Sequence, residues 1–158
     1  MKRWLPIIFF ATIFVVLLTA DLLTKYLIYG KDMNFIPGFI EFDNVKNYGI
    51  AFGLLANAGV WITVITSMLC VASIIAWFFL ARKSIFGSIS FAIFIAGAIG
   101  NLYDRISYGY VRDFITFPWF SFAGVFNVAD ACLTIATIML AVYFTMLAFK
   151  KTEKSNAS

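Results

Sequence analysis

The sequence predicts an all-α membrane protein: a four-transmembrane-helix bundle with both termini cytoplasmic and a small extracytoplasmic β platform. Three observations carry that prediction. Hydrophobic residues make up 63% of the 158 and charged residues 13%, against roughly 45–50% and about 25% in globular domains. Four apolar stretches, charge-free over most or all of their length, are long enough for a bilayer crossing, which takes about 20 residues. Seven of the 12 basic residues fall in short segments on one side of those stretches. Nineteen Phe and a mean hydropathy of +0.94 exclude a disordered chain, a disulfide-stapled scaffold and a nucleic-acid-binding domain. The pI near 9.1 therefore records topology, not a nucleic-acid partner.

The first span, 4–28, runs without charge from Trp4 to Ala20 and continues through Asp21 and Lys25. Lys2 and Arg3 before an apolar run ending Leu18-Thr19-Ala20 resemble a cleavable signal sequence. No small-x-small site follows, and no Cys sits there for lipid attachment, so the run is read as a retained helix. Asp21 and Lys25, four apart, suit a helical ion pair and a supporting role. In the outer segment 29–58, the turn Pro37-Gly38 leads into alternating residues that predict a short strand within 34–42. Further on, Gly49 and Gly53 bracket Ile50-Ala51-Phe52 in a segment, 49–55, suited to a short amphipathic lid.

The second span is 59–80 and the third 84–103, with Arg82 and Lys83 between them. Ser88, Ala92, Ala96 and Gly100 recur every four residues along the third, a stripe that lets a neighbouring backbone approach closely. The outer segment 104–129 holds a second strand-like run, 110–117, and the fourth span is 130–149. Non-helical backbone at these positions must sit at the interface or line a cavity, because lipid cannot satisfy its polar groups. The reading is one integral membrane domain over 1–158, without internal repeat. Lys2, Arg3, Arg82, Lys83, Lys150, Lys151 and Lys154 mark the cytoplasmic side. Seven of the eight acids, all but Glu153, then lie on the outer side. Acids carry little topological weight, so their clustering needs a chemical cause.

The chain has no His, which removes Ser-His-Asp and Cys-His catalysis and any His-based metal site. Cys70 and Cys132 lie in apolar runs and read as small hydrophobes; no metal and no cofactor are expected. What remains is a carboxylate pair. Asp113 follows the third span and Asp130 opens the fourth. Each has a plain structural reading: Asp130, three residues after Asn127, as the acidic partner of a helix cap, and Asp113 as a solvated strand residue. Yet Asp113 shares a strand face with Val111, Ile115 and Phe117, where a carboxylate is poorly hydrated. Two acids at one interfacial cavity suit amide hydrolysis, one ionised to activate water and one protonated to donate. Like charges close together share a proton and titrate as a unit.

Five blocks in order resemble the lipoprotein signal peptidases (signal peptidase II), bacterial membrane aspartyl proteases. Asp21-Leu22-Leu23-Thr24-Lys25 is similar to the family's D-Q-x-T-K. Asn47-Tyr48-Gly49-Ile50-Ala51-Phe52-Gly53 resembles N-x-G-A-A-F-G, and Gly97-Ala98-Ile99-Gly100-Asn101-Leu102-Tyr103-Asp104-Arg105 resembles G-A-x-G-N-x-x-D-R. Val111-Arg112-Asp113-Phe114-Ile115 is similar to V-x-D-F-I, and Phe126-Asn127-Val128-Ala129-Asp130 to F-N-x-A-D. The resemblance implies that Asp113 and Asp130 are the catalytic dyad. It puts Asn47, Gly49, Gly97, Asn101, Arg105, Asn127 and Ala129 along the active site, with Asp21 and Lys25 in support. It also implies diacylglyceryl-modified prolipoprotein substrates cut just before the lipidated Cys, membrane lipids as partners and inhibition by globomycin-like cyclic peptides. The location implied is the bacterial cytoplasmic membrane, with the active site at its outer face.

Leu22, Ile50 and Arg112 depart from the family's usual residues. Arg112 should point to the strand face opposite Asp113. Among the other matched residues, the fork of Arg105 suits substrate carbonyls or lipid oxygens. Asn47 and Asn101, each donor and acceptor, suit an extended peptide backbone. Two other classes fit the four-span frame. A transporter or channel subunit would use the acids as a relay, but relay acids lie mid-span and transporters commonly carry an inverted repeat. A structural subunit leaves the paired aspartates without a role.

The charge asymmetry makes the orientation testable. A cysteine placed at Ser107 should react with a membrane-impermeant thiol reagent added to intact cells, and one at Ser84 should not. The reverse labelling pattern would put the acids in the cytoplasm.

Overall fold

The computed structural model describes residues 4–31, 33–49 and 59–156. Four long helices, each apolar and long enough to cross a membrane, carry a three-stranded sheet at one end. Helix α1 spans Leu5–Ile28, with Pro6 in the first turn where its missing N–H costs nothing. Strands β1 (Met33–Ile36) and β2 (Ile40–Asn47) follow. Helix α2 covers Gly59–Ala76 and ends in a π-helical turn, Trp77–Ala81. Helix α3 is Ile85–Tyr108, β3 is Val111–Thr116, and a short 3-10 segment, Pro118–Ala123, leads to α4, Val128–Asn156.

Helix α3 is the axis of the bundle, packed against α1, α2 and α4. Ser88, Ala92, Ala96 and Gly100 are all buried, and their small volumes permit that many neighbours. The outward faces of the other three helices stay apolar and exposed, as Val15, Val60, Phe79 and Ile138 show. Such a surface suits lipid, not water. At the end away from the sheet, Ala81, Phe91, Ile95 and Tyr143 form a buried cluster, and Trp77 stacks on Phe10 at 4.0 Å. The Tyr143 hydroxyl donates to the Leu80 carbonyl at 2.8 Å, satisfying a backbone acceptor in the π turn.

The sheet runs β1-β2-β3, antiparallel throughout. The turn at Pro37-Gly38 joins two strands, and β2 continues to Asn47. Between Phe42 and Val45 the register shifts against β3, so Val45 faces Asp113 and Asn47 faces Val111. That bulge places Asn47 diagonal to Asp113, within reach of a cross-strand side-chain bond.

Three helix ends lie beyond the apolar runs, among them the C-terminus of α4, which continues past 149 to Asn156. Helix α3 continues from Tyr103 to Tyr108 because Asp104 and Arg105 both find partners there. Gly109 then stops it with φ +79°, donating its N–H to the Arg105 carbonyl. Helix α4 starts at Val128, two residues before the apolar span, because Asn127 caps it. Of the lid suggested over 49–55, all but Gly49 lies outside the described residues.

The close helix contacts are testable at two glycines. A Cβ on Gly87 would stand 2.7 Å from the Tyr143 ring and 2.9 Å from the Ala81 Cβ; one on Gly97 would stand 2.6 Å from the Ala129 carbonyl. Gly87→Ala and Gly97→Ala should each destabilise the bundle by about 1–3 kcal/mol through overpacking. Thermal melting of the purified proteins in detergent reads this directly, and unchanged melting temperatures would refute the packing argument.

Candidate active site

The sheet end of the bundle gathers the polar residues singled out in the sequence. Strand β3 turns Val111 and Asp113 to its buried face, each 1% exposed. Asp130 enters from another direction, in the first turn of α4. The two meet because Phe126 bridges to Ile115, with N–H···O bonds of 2.8 and 3.0 Å in the two directions. This pins the start of α4 against β3.

Asn127 joins the two acids. Its backbone N–H donates to Asp130 Oδ2 at 3.2 Å, and its Oδ1 accepts from the Asp130 N–H at 3.0 Å, a reciprocal capping box. Its Nδ2 is then left to donate to Asp113 Oδ1 at 2.6 Å and Asn101 Oδ1 at 3.1 Å. The cap reading of Asp130 and the chemical reading are thus compatible: one carboxylate oxygen caps the helix. The other, Oδ1, accepts from Asn101 Nδ2 at 2.7 Å. Asp113 Oδ2 accepts from Asn47 Nδ2 at 2.8 Å, and Asn47 is itself oriented by the Gly49 N–H on its Oδ1. Burial pushes the Asp113 carboxyl up to about 7, helped by the neighbouring Asp130 charge and opposed by the Asn47 and Asn127 donors and by Lys25.

Behind the acids lies a second polar layer. Lys25, fully buried, donates to Asp21 Oδ2 at 2.9 Å and Asn101 Oδ1 at 3.1 Å, and pairs with Asp104 Oδ2 at 3.4 Å. Asp21 Oδ1 takes the Ala129 N–H at 2.9 Å, one of the free donors at the start of α4. Arg112 points away from Asp113 and clasps Asp104, with Nη2 to Oδ1 at 2.8 Å, while its backbone N–H donates to Oδ2 at 3.0 Å. Among the described residues no buried side-chain nitrogen or oxygen lacks a partner.

A groove of about 1090 Å³ opens beside the acids, with Asn47, Gly49, Asn101, Arg105, Asp113 and Asp130 on its polar side. Its other walls are apolar, from Ile62 and Leu69 of α2 and Phe94 of α3 to Phe117 and Trp119 beyond β3. The remaining residues singled out in the sequence lie elsewhere. Asn127, Asp21 and Lys25 sit behind the wall. Gly97 and Ala129 are the contact between α3 and α4, and a Cβ on Gly100 would collide with the Asp21 carboxylate. These small residues are packing elements and form no side-chain pocket.

Contacts within the chain add to two further expectations. The Asn47 and Asn101 amides, suited to a peptide backbone, each direct one Nδ2 proton to a carboxylate. The Arg105 guanidinium does grip a carbonyl, that of Gly49 at 2.9 Å. Asp104, given no role of its own in the sequence, is a fully buried hub between Lys25 and Arg112. The sequence signal for it was an acid inside the block shared with Asn101 and Arg105.

Comparison with known proteins shows the family and the fold. Residues 13–146 match the family model described as signal peptidase (SPase) II. The chain is 35% identical over 117 residues to the lipoprotein signal peptidase of Enterococcus faecalis, covering 74% of this chain and 72% of that one. It is 39% identical over 137 residues to that of Brucella ovis, covering 79% and 83%. Two solved structures of a bacterial membrane enzyme superpose with TM-scores of 0.80 and 0.76. Their identities are 29% and 30%, over 87% and 85% of this chain and 87% and 91% of those. The class is an aspartic-type membrane peptidase. Within it, the chain belongs to the signal peptidase II family.

Proposed function

We propose that this protein removes signal peptides from diacylglyceryl-modified prolipoproteins, cutting just before the lipid-bearing Cys, with Asp113 and Asp130 as the acid–base pair. The observation that carries the reading is the pair itself, two carboxylates tied through Asn127 and facing one groove. Asp130 lies at the N-terminus of a long helix, where a negative charge is favoured, and is the base. Asp113, buried on a strand and pushed up to about 7, is the acid.

In the first step Asp130 takes a proton from water as the oxygen attacks the scissile carbonyl carbon, and Asp113 gives its proton to the carbonyl oxygen. The tetrahedral diol then collapses. Asp113 recovers its proton, the C–N bond breaks, and the proton held by Asp130 passes to the leaving amine. Arg105, on the groove wall, holds a carbonyl of the extended substrate in place of that of Gly49. Asn47, Asn101 and Asn127 keep the carboxylates aimed. The apolar walls reaching toward α2 and α3 receive the signal peptide and lipid chains, and a globomycin-like cyclic peptide would compete for the same groove.

The protein is read as one integral unit of the bacterial cytoplasmic membrane, termini inside and groove at the outer face, which the basic residues support. There an anchored substrate approaches sideways at fixed depth, and the search for the reactive geometry shrinks.

Asp113→Asn and Asp130→Asn should each abolish cleavage while leaving a folded membrane protein, and the double variant should cost little more than either, since the pair acts as a unit. Cleavage by the unmodified protein should fall as pH rises through about 7, where Asp113 loses the proton it donates. Near-normal turnover by either single variant would sink the assignment.

The lipid requirement is separable. Each buried CH₂ contributes about 0.8 kcal/mol to anchoring, so a precursor lacking diacylglyceryl should be cut much more slowly than the modified one. A gel-shift time course on both forms at matched concentration decides; equal rates would mean that the lipid is not read.

A further inference from the structure

The layer behind the acids contains a contact that an ion pair does not require. Lys25 has three N–H donors and no acceptor. Two of them suffice for Asp21 and Asp104, and the third goes to a neutral group, Asn101 Oδ1, at 3.1 Å. A side-chain amide fits its space nearly as well flipped by half a turn, so only its partners decide which end points where. Flipped, Asn101 would set an oxygen against Asp130 Oδ1, at a position now 2.7 Å from a donor. That arrangement repels a carboxylate and accepts from a carboxylic acid.

Asn127 does not hold the amide alone. Its Nδ2 has two protons for three acceptors: Asp113 Oδ1 at 2.6 Å, Asn101 Oδ1 at 3.1 Å and the Arg112 carbonyl at 3.4 Å. The shortest bond goes to Asp113. Lys25 is the donor committed to Asn101.

We propose that Lys25 is a positioning residue of the peptidase: by donating to Asn101 Oδ1 it keeps Nδ2 turned to Asp130 and so holds Asp130 as the ionised member of the pair. This rests on the acid–base assignment above. The charged groups acting on the pair are Lys25 from α1 and Arg105 from α3; Asp21 and Asp104 pair with Lys25 behind them, and Arg112, beside Asp113 on β3, turns away to Asp104. Only Lys25 reaches Asp130 through an amide that has two orientations.

Removing Lys25 alone strands a buried carboxylate, so the test uses Lys25→Met in an Asp21→Asn background, compared with Asp21→Asn alone. Asp104 keeps its Arg112 partner in both, and loss of both ends of a buried pair is far milder than loss of one. The added Lys25→Met should lower kcat by about 10-fold or more, part of what a positioned base supplies. KM for the lipid-modified precursor should stay within about twofold, and the pH profile of kcat should move. In an Asn101→Ala background the same change should have no further effect on kcat, because the relay is already cut. A loss of thermal stability with kcat and pH profile unchanged, or an equal kcat loss with and without Asn101, would overturn the proposal.

A measurement on the unsubstituted protein tests the same point independently. The Asn101 side-chain amide in micelles, assigned by its absence in Asn101→Ala, should show one orientation across the active pH range by NMR; exchange between two would also overturn the proposal. The acid–base assignment fails separately, through activity in Asp113→Asn or Asp130→Asn.

Discussion

The site depends on a constraint that Asn127 resolves. Two carboxylates must sit close together in a wall that excludes most water, one on a strand and the other on a helix. Asn127 uses its backbone N–H and Oδ1 to close the helix cap on Asp130 and its Nδ2 to hold Asp113. The cap fixes which end of the amide is free, so a local rule of helix termination also aims the donor at Asp113. The bridge from Phe126 to Ile115 supplies the rigid footing.

A buried polar cluster of this size is costly unless every member is paired. The sheet and helices divide that task. Helix α1 brings Asp21 to the open N–H of Ala129; α3 brings Asn101, Asp104 and Arg105 from one apolar helix; β3 turns Asp113 inward and Arg112 outward in alternation. The small residues of α3 let these groups meet. At Gly100 any side chain would enter the Asp21 carboxylate, and at Gly97 it would push α4 away from α3. The glycines thus serve the site by setting helix spacing, one step removed from the groove.

Features legible in the sequence were those carried by local spacing. Apolar runs located the four helices, three-residue spacing announced the Asn127–Asp130 cap, and four-residue spacing announced the Asp21–Lys25 pair. Strand alternation turned Arg112 away from Asp113. Contacts closed by chain reversal were not legible. Asp104 meets Arg112 only because Gly109, at φ +79°, folds β3 back along the end of α3. Asn47 reaches Asp113 only because a bulge resets β2 against β3. The amide groups themselves gave no sign whether they would serve a substrate or the acids, since either use satisfies the same donors and acceptors. The π turn at Trp77–Ala81 has no local signature in the sequence either.

Charge balance ties the two layers together. Asp21, Asp104, Asp113 and Asp130 contribute four formal negative charges, and Lys25, Arg105 and Arg112 three positive ones. The rear layer is neutral by itself, with Asp21 and Asp104 against Lys25 and Arg112. The front is Arg105 facing the two acids. With both acids ionised the cluster carries an uncompensated negative charge in a poorly hydrated setting, where such a charge is expensive. With one proton held between them the whole cluster is neutral. That is the state the two-carboxylate reaction starts from, one acid and one base, and it is the state to which Asp113, pushed up to about 7, already tends. The paired ions behind the wall cancel one another in total, so they leave the net charge of the front to the groove in which the acids meet, while the Lys25 contact through Asn101 bears on which of the two acids carries it.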